Sequence, residues 1–138
     1  MIVYKGSASE TFQIKKHKKS RYGFQALFFA SHLFLARLYA TSDAEDEFME
    51  NGGFVHEFEI EDCEHTINFR GQSTYNSAFR KMVYDLQQKG YKSVRIKGVV
   101  DYPSKKYAIL NSSDVIIVFD FSVIKSWKLI ERNVKVRK

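Results

Sequence analysis

The sequence predicts an α+β domain, because short strands outnumber helices and the connections between them are irregular. Three stretches carry that expectation. Phe54 to Ile60 alternates apolar and polar residues, the period of a half-buried strand. Tyr75 to Lys89 repeats its apolar residues at helical spacing instead. Val115 to Phe119 is an uninterrupted apolar run, as in a central strand covered on both faces. With 138 residues, the span 1–138 is read as one domain that can enclose a sizeable core.

The elements follow in order. Met1 to Tyr4 is a short apolar strand. Lys5-Gly6-Ser7 is predicted to turn the chain, since glycine tolerates turn geometry. Thr11 to Ile14 offers an apolar contact through Phe12 and Ile14, and a Lys-rich loop runs to Arg21. Phe24 to Ala30, preceded by Gly23, is short, aromatic and free of charge, and reads as a buried strand. Leu33 to Ala40 reads as a helix with Ser31 as its candidate N-cap. A strand feeding a helix so directly sets helix amides at the strand's end, a corner suited to an anion. The same pattern also fits the plain core of any mixed domain.

Thr41 to Asn51 either continues the helix or loops, and Gly52-Gly53 breaks it. In the next strand His56 falls on the apolar side with Phe54, Phe58 and Ile60, where a histidine is most often a hydrogen-bonded core residue. Ala78, Phe79, Met82, Val83 and Leu86 form the core face of the later helix, with Ser73 or Thr74 to start it and Gly90 to end it. Tyr91 to Val100 is a strand, Tyr102-Pro103-Ser104 a turn, Tyr107 to Leu110 a short strand and Asn111-Ser112-Ser113 another turn. After the apolar strand, Asp120 to Trp127 leaves through a short turn, and Leu129 to Val136 forms a charged edge strand.

Hydrophobic content of 44% and aromatic content of 15% argue against disorder. No apolar run approaches the ~18 residues of a membrane helix, and the opening residues lack the layout of a secretory signal. No membrane association is therefore expected. Cys63 is the one cysteine, which excludes an internal disulfide and a zinc site built on several cysteines, and fits a cytoplasmic protein. Cys63 and His65 alone are a weak metal signal, so no metal site is assigned.

The net charge of +6 is unevenly placed: Asp43 to Glu64 carries ten acids and no Lys or Arg, while Lys15 to Arg21, Lys89 to Lys106 and the tail from Lys125 are basic. Such clusters attract nucleic acid, nucleotide phosphates or an acidic protein face, and also serve simply as solvated loops. No Gly-x-Gly-x-x-Gly or P-loop pattern is present, and no Ser-His-Asp or Cys-His arrangement stands out.

Four motifs in sequence resemble those of the small ADP-ribosyltransferases. Val3-Tyr4-Lys5-Gly6-Ser7 is similar to their opening Tyr-His-Gly-Thr/Ser. Phe28-Phe29-Ala30-Ser31, running to Ala36-Arg37-Leu38-Tyr39-Ala40, resembles their aromatic strand and Ala-x-x-Tyr-Ala helix. Gly90-Tyr91-Lys92-Ser93-Val94 resembles Gly-Tyr-Asp-Gly-Val. Val118-Phe119-Asp120-Phe121-Ser122-Val123-Ile124-Lys125 resembles the Val-Phe-Asp-Pro-Ser-Gln-Ile-Lys ending of phage and bacterial members.

The resemblance implies two small packed β-sheets with flanking helices and NAD bound in the cleft between them. It implies that the first motif, Tyr4 to Ser7, holds the dinucleotide, with Lys5 in the place of a histidine or arginine and Gly6 meeting the nicotinamide amide. Phe28, Phe29 and Ser31 would stand beside the nicotinamide, and Tyr39 beneath the site. A gapless match puts the family's catalytic glutamate at Val115; Asp114 is the nearest acid and the candidate catalytic residue, with Asp101 as the alternative. A carboxylate there would stabilise the positive ribose that forms as nicotinamide leaves. The implied activity is mono-ADP-ribosyl transfer from NAD, as substrate, to a protein or nucleic-acid target.

The departures at Lys5, at Phe28 and Phe29 (which lack the usual tyrosine hydroxyl), at Asp114 and at Phe121 keep a second expectation open. It is a noncatalytic protein- or nucleic-acid-binding module on the same scaffold, acting through the Lys15 to Arg21 loop or the acidic segment. A relative that transfers a phosphate from RNA to NAD is a third, and needs several basic groups around one cleft.

Overall fold

The computed structural model describes residues 1–17, 19–20, 22–45, 53–70, 77–99 and 113–134. Among them, strands β1 (Ile2–Ser7), β2 (Leu27–Ala30), β3 (Gly53–Ile60), β4 (His65–Asn68), β5 (Ser93–Val99), β6 (Ser113–Val118) and β7 (Ile124–Val134) join in one mixed sheet of order β4-β5-β6-β2-β1-β3-β7. All neighbours are antiparallel except β4 and β5, which run parallel. Helix α2 (Ser77–Gln88) lies in the connection between those two, as a parallel pair requires a crossover. Helix α1 (Leu33–Glu45) follows β2. The α+β class is as the sequence predicts. Where two separate sheets are expected, hydrogen bonding instead links all seven strands. The link between β1 and β2 is a single register pair, Tyr4 with Ala30, whereas β1 and β3 pair along the whole of β1.

Alternation along each strand sorts the core. Leu27 and Phe29 of β2, Ile116 and Val118 of β6 and Phe58 and Ile60 of β3 share one apolar cluster. Val94 and Ile96 of β5 and Val115 and Ile117 of β6 face the other way and pack with Phe79, Val83 and Leu86 of α2. Ala30 and Val55 pack with Leu35, Ala36 and Leu38 of α1. β6 is thus buried on both faces, which explains its unbroken apolar run.

Gly6 lies inside β1; the predicted turn at Lys5-Gly6-Ser7 is absent, and these residues pair with His56, Val55 and Phe54. The glycine serves packing instead. A Cβ on Gly6 would stand 1.8 Å from the Ala36 carbonyl oxygen, and one on Gly53 would stand 2.1 Å from that of Ala40. Two glycines below two alanines let α1 lie almost on the backbone of β1 and β3. On its outer side α1 is tied to β7 by Arg37, whose Nε donates to both carboxylate oxygens of Glu131 at 2.9 Å.

Other boundaries shift for identifiable reasons. Only Leu27 to Ala30 of the aromatic stretch pair as a strand, while Phe24 stacks on Tyr22 ahead of it. Ser31 does not cap α1: its hydroxyl donates to the Asp114 carbonyl at 3.1 Å. Ala78 is exposed, since α2 turns Phe79, Val83 and Leu86 inward. Gly90 ends that helix as expected, with φ +80° and its N–H bonded to the Gln87 carbonyl. The last strand starts at Ile124, five residues before its predicted start, directly after a 3-10 turn at Phe121–Val123. The short strand β4 alternates half-buried His65 and Ile67 with exposed Thr66 and Asn68, but Ile67 is its one aliphatic residue, so the sequence shows no apolar period there. The expected cap at Ser73 or Thr74, the turn at Tyr102 to Ser104 and the strand at Tyr107 to Leu110 lie outside the described residues. No helix among the described residues is long and apolar enough to cross a membrane.

His56 is buried, and its Nε2–H donates to the Glu10 carbonyl at 2.9 Å. Burial pushes its pKa below the ordinary value of 6.5. The unfolded chain therefore takes up a proton at a pH where the native chain does not. Stability tied to His56 is full above about pH 6.5 and falls as the pH drops towards the lower native value. The melting temperature is expected to decline between about pH 7.5 and pH 5.5, and His56→Gln, which keeps the donor and removes the proton, to flatten that decline. Equal slopes for the two proteins would sink the assignment.

Candidate functional site

A cavity of about 380 Å³ lies against β1 and β2, where their pairing gives out on either side of Tyr4 and Ala30. The size is within the range of small-molecule pockets, and apolar walls with few polar groups are typical of them. Tyr4, Lys5 and Gly6 of β1, Phe28 and Phe29 of β2, and Tyr39 of α1 all border it. Three stretches distant in sequence thus meet at one place, as a consequence of the β1–β2 pairing and of the α1 packing over Gly6.

Lys5 sets the electrostatics of this end of the cavity. Its Nζ donates to the Phe28 carbonyl at 3.2 Å and lies 6.0 Å from the centre of the Phe29 ring. The Phe28 ring continues a stack with Tyr22, at 5.7 Å between centroids, and Tyr22 in turn stacks on Phe24. Arg80 of α2 places its guanidinium 5.6 Å from the Tyr22 ring. This aromatic series backs one wall and holds the Phe28 ring at a fixed tilt.

Ser7 and Ser31 do not border the cavity. The Ser7 hydroxyl donates to the Ser9 carbonyl at 3.2 Å, in the turn that leaves β1. Ser31 meets the Asp114 carbonyl through its hydroxyl and, at 3.2 Å, its backbone N–H. Asp114 itself does not border the cavity either. Its Oδ2 lies 3.2 Å from Arg95 Nε, and the pair is only half-buried. Successive residues of a strand point to opposite faces, so the neighbour of Asp114, Val115, takes the place on the cavity wall. No Asp or Glu is among the described residues that line the cavity. Asp101 lies outside the described residues. Lys5, Ser31 and Asp114 therefore do not converge on one cleft.

His17 and Ser20, which the sequence offers only as part of a basic loop, and Phe79, which it offers only as a core residue, also border the cavity. His17 was hidden inside a run of lysines, where charge is the dominant signal. The available clue was Phe12, whose apolar contact fixes the loop to the sheet. Arg95 also has a readable signal, since it sits between Val94 and Ile96 and alternation alone puts it on the face opposite to theirs. Lys15 and Lys19 of the basic loop are exposed. Cys63 is half-buried, and burial pushes its thiol pKa up, away from the reactive thiolate.

No family model matches the chain, and no curated protein matches it.

Proposed function

We propose that the chain is a nucleotide-binding domain on an ADP-ribosyltransferase-like scaffold, taking NAD in the cavity beside β1 and β2. One observation carries this reading. Six of the residues that the resemblance assigns to the dinucleotide, Tyr4, Lys5, Gly6, Phe28, Phe29 and Tyr39, border a single cavity. The aromatic walls suit a flat base or nicotinamide ring. Lys5 suits a phosphate as a point charge, without the fork of an arginine.

Binding without transfer is the form favoured. Transfer needs a carboxylate beside the ribose as positive charge develops on it, because only an interaction stronger in the transition state speeds the reaction. Val115 borders the cavity at the position matched to the family's acid, and the carboxylate of Asp114 is engaged by Arg95. An active transferase is the second reading, favoured by Ser31. Its two hydrogen bonds fix the Asp114 backbone to the end of β2, one residue from the cavity wall.

Titration of the protein with NAD, followed by an assay of released nicotinamide, separates the readings. Saturable binding with no release is the expected result, and Lys5→Met weakens the binding by about tenfold, the loss of one charge-assisted contact. Release that vanishes in Asp114→Ala would put the transferase first. An absence of NAD binding would overturn both.

A further inference from the structure

We infer that His17, held against this cavity by the pinned stretch from Glu10 to His17, makes together with Lys5 an anion subsite that takes a phosphate group of the ligand. The inference rests on the nucleotide-binding reading above.

A surface loop rich in lysine is ordinarily a solvated tether. This one is pinned to the sheet at several points. The Glu10 carbonyl accepts from His56 Nε2 at 2.9 Å, and the Glu10 carboxylate pairs with Arg132 of β7. Phe12 meets the edges or faces of Phe58 and Trp127 nearly at right angles, with centroids 4.8 and 5.2 Å away. The His17 ring then lies almost parallel to Phe12, at 5.2 Å and 12°. Each contact supports the next, so the imidazole is held in place by the core rather than by the loop alone.

The pinned ring and the Lys5 side chain both border the cavity. An imidazole offers at least one N–H in either protonation state, and an ammonium offers three. Both groups donate, and such charge-assisted bonds to an anion are stronger than neutral ones. The exposed Lys15 and Lys19 on the same loop add a positive field that draws anions towards it. Phe28 and Tyr39 border the same cavity and supply the apolar contact for a ring. A phosphate joined to an aromatic base satisfies both halves, which defines the ligand class as a nucleotide. The phosphate is either the internal pyrophosphate of a dinucleotide or the terminal group of a mononucleotide.

Calorimetric titration with NAD, AMP and adenosine tests the assignment in the wild type, His17→Gln and Lys5→Met, after a thermal melt has shown each variant folded. The wild type is expected to bind NAD or AMP at least about tenfold more tightly than adenosine. In each variant that preference shrinks by about tenfold, while adenosine affinity stays within about twofold. A preference for NAD over AMP assigns the internal pyrophosphate, and equal affinities assign a terminal phosphate; either supports the subsite. Variants that keep the wild-type preference would overturn the subsite and leave nucleotide binding standing. If none of the three probes binds the wild type, the subsite and the nucleotide-binding reading fall together.

Discussion

Gly6→Ala is expected to remove a large part of the domain's stability and to disturb the cavity with it. The added Cβ would lie 1.8 Å from the Ala36 carbonyl oxygen and 2.7 Å from the Ala40 nitrogen. Both are backbone atoms, so no side-chain rotation relieves the clash, and α1 has to move off the sheet. Forcing a carbon into a packed site costs typically ~1–3 kcal/mol and sometimes more; here the whole helix must yield, so about 3 kcal/mol or more is expected. Against a typical total of about 5–15 kcal/mol, that is a major loss. Because α1 supplies Tyr39 and Ala36 to the cavity wall, the proposed nucleotide binding is expected to fall as well. Gly90→Ala is the control. Its φ is +80°, yet nothing lies within 4 Å of the new atom, so it carries only the cost of a left-handed backbone, about 1–2 kcal/mol. Urea unfolding of both variants decides the matter. A smaller loss for Gly6→Ala than for Gly90→Ala would mean that α1 does not sit on β1 this closely.

Phe58→Ala has the second large expected effect. Phe58 is fully buried in β3, with Phe29 4.7 Å and Phe12 4.8 Å away between ring centroids. Truncating such a ring removes its transfer free energy and leaves a cavity, at a cost of about 3–5 kcal/mol. Phe58→Leu keeps most of the volume and is expected to cost about 1 kcal/mol. Trp127, the single tryptophan, stacks on Phe58 at 6.0 Å and 28°. Its emission is expected to shift to longer wavelength in Phe58→Ala and to stay in place in Phe58→Leu. The alanine variant also loses the backing of Phe12 and so of the His17 wall. Unfolding midpoints for the two variants that lie close together would show that the cluster is looser than its geometry.

Much of the fold was legible because its causes are local. The alternation of Phe54 to Ile60 marked β3 and put His56 on its buried side. The apolar spacing of Phe79, Val83 and Leu86 marked α2, and Gly90 marked its end. The candidate site was legible in part. Tyr4, Lys5, Gly6, Phe28, Phe29 and Tyr39 were singled out as residues of one site through family-like motifs, and they do border one cavity. Ser7 and Ser31 were singled out in the same way and do not border it, because a motif gives order along the chain and not the direction of each side chain; Asp114, named as the acid nearest the motif match at Val115, lies one residue away on the other face of β6.

The sequence by itself determined the α+β class, the burial of the aromatic and β-branched runs and the helix α2. Periodicity and turn chemistry act over a few residues, and those residues are all that these features require. Only the tertiary structure decided that Gly6 stays in β1 to admit α1, that His17 leaves the lysine run to join the cavity wall, and that Val115 faces the cavity while Asp114 meets Arg95. Each depends on which strand lies beside which and in what register. A one-residue slip would exchange the faces of Asp114 and Val115. That register is fixed by residues far apart in the chain, such as Ala30 with Val115 and Tyr4 with Ala30, and no local pattern records it.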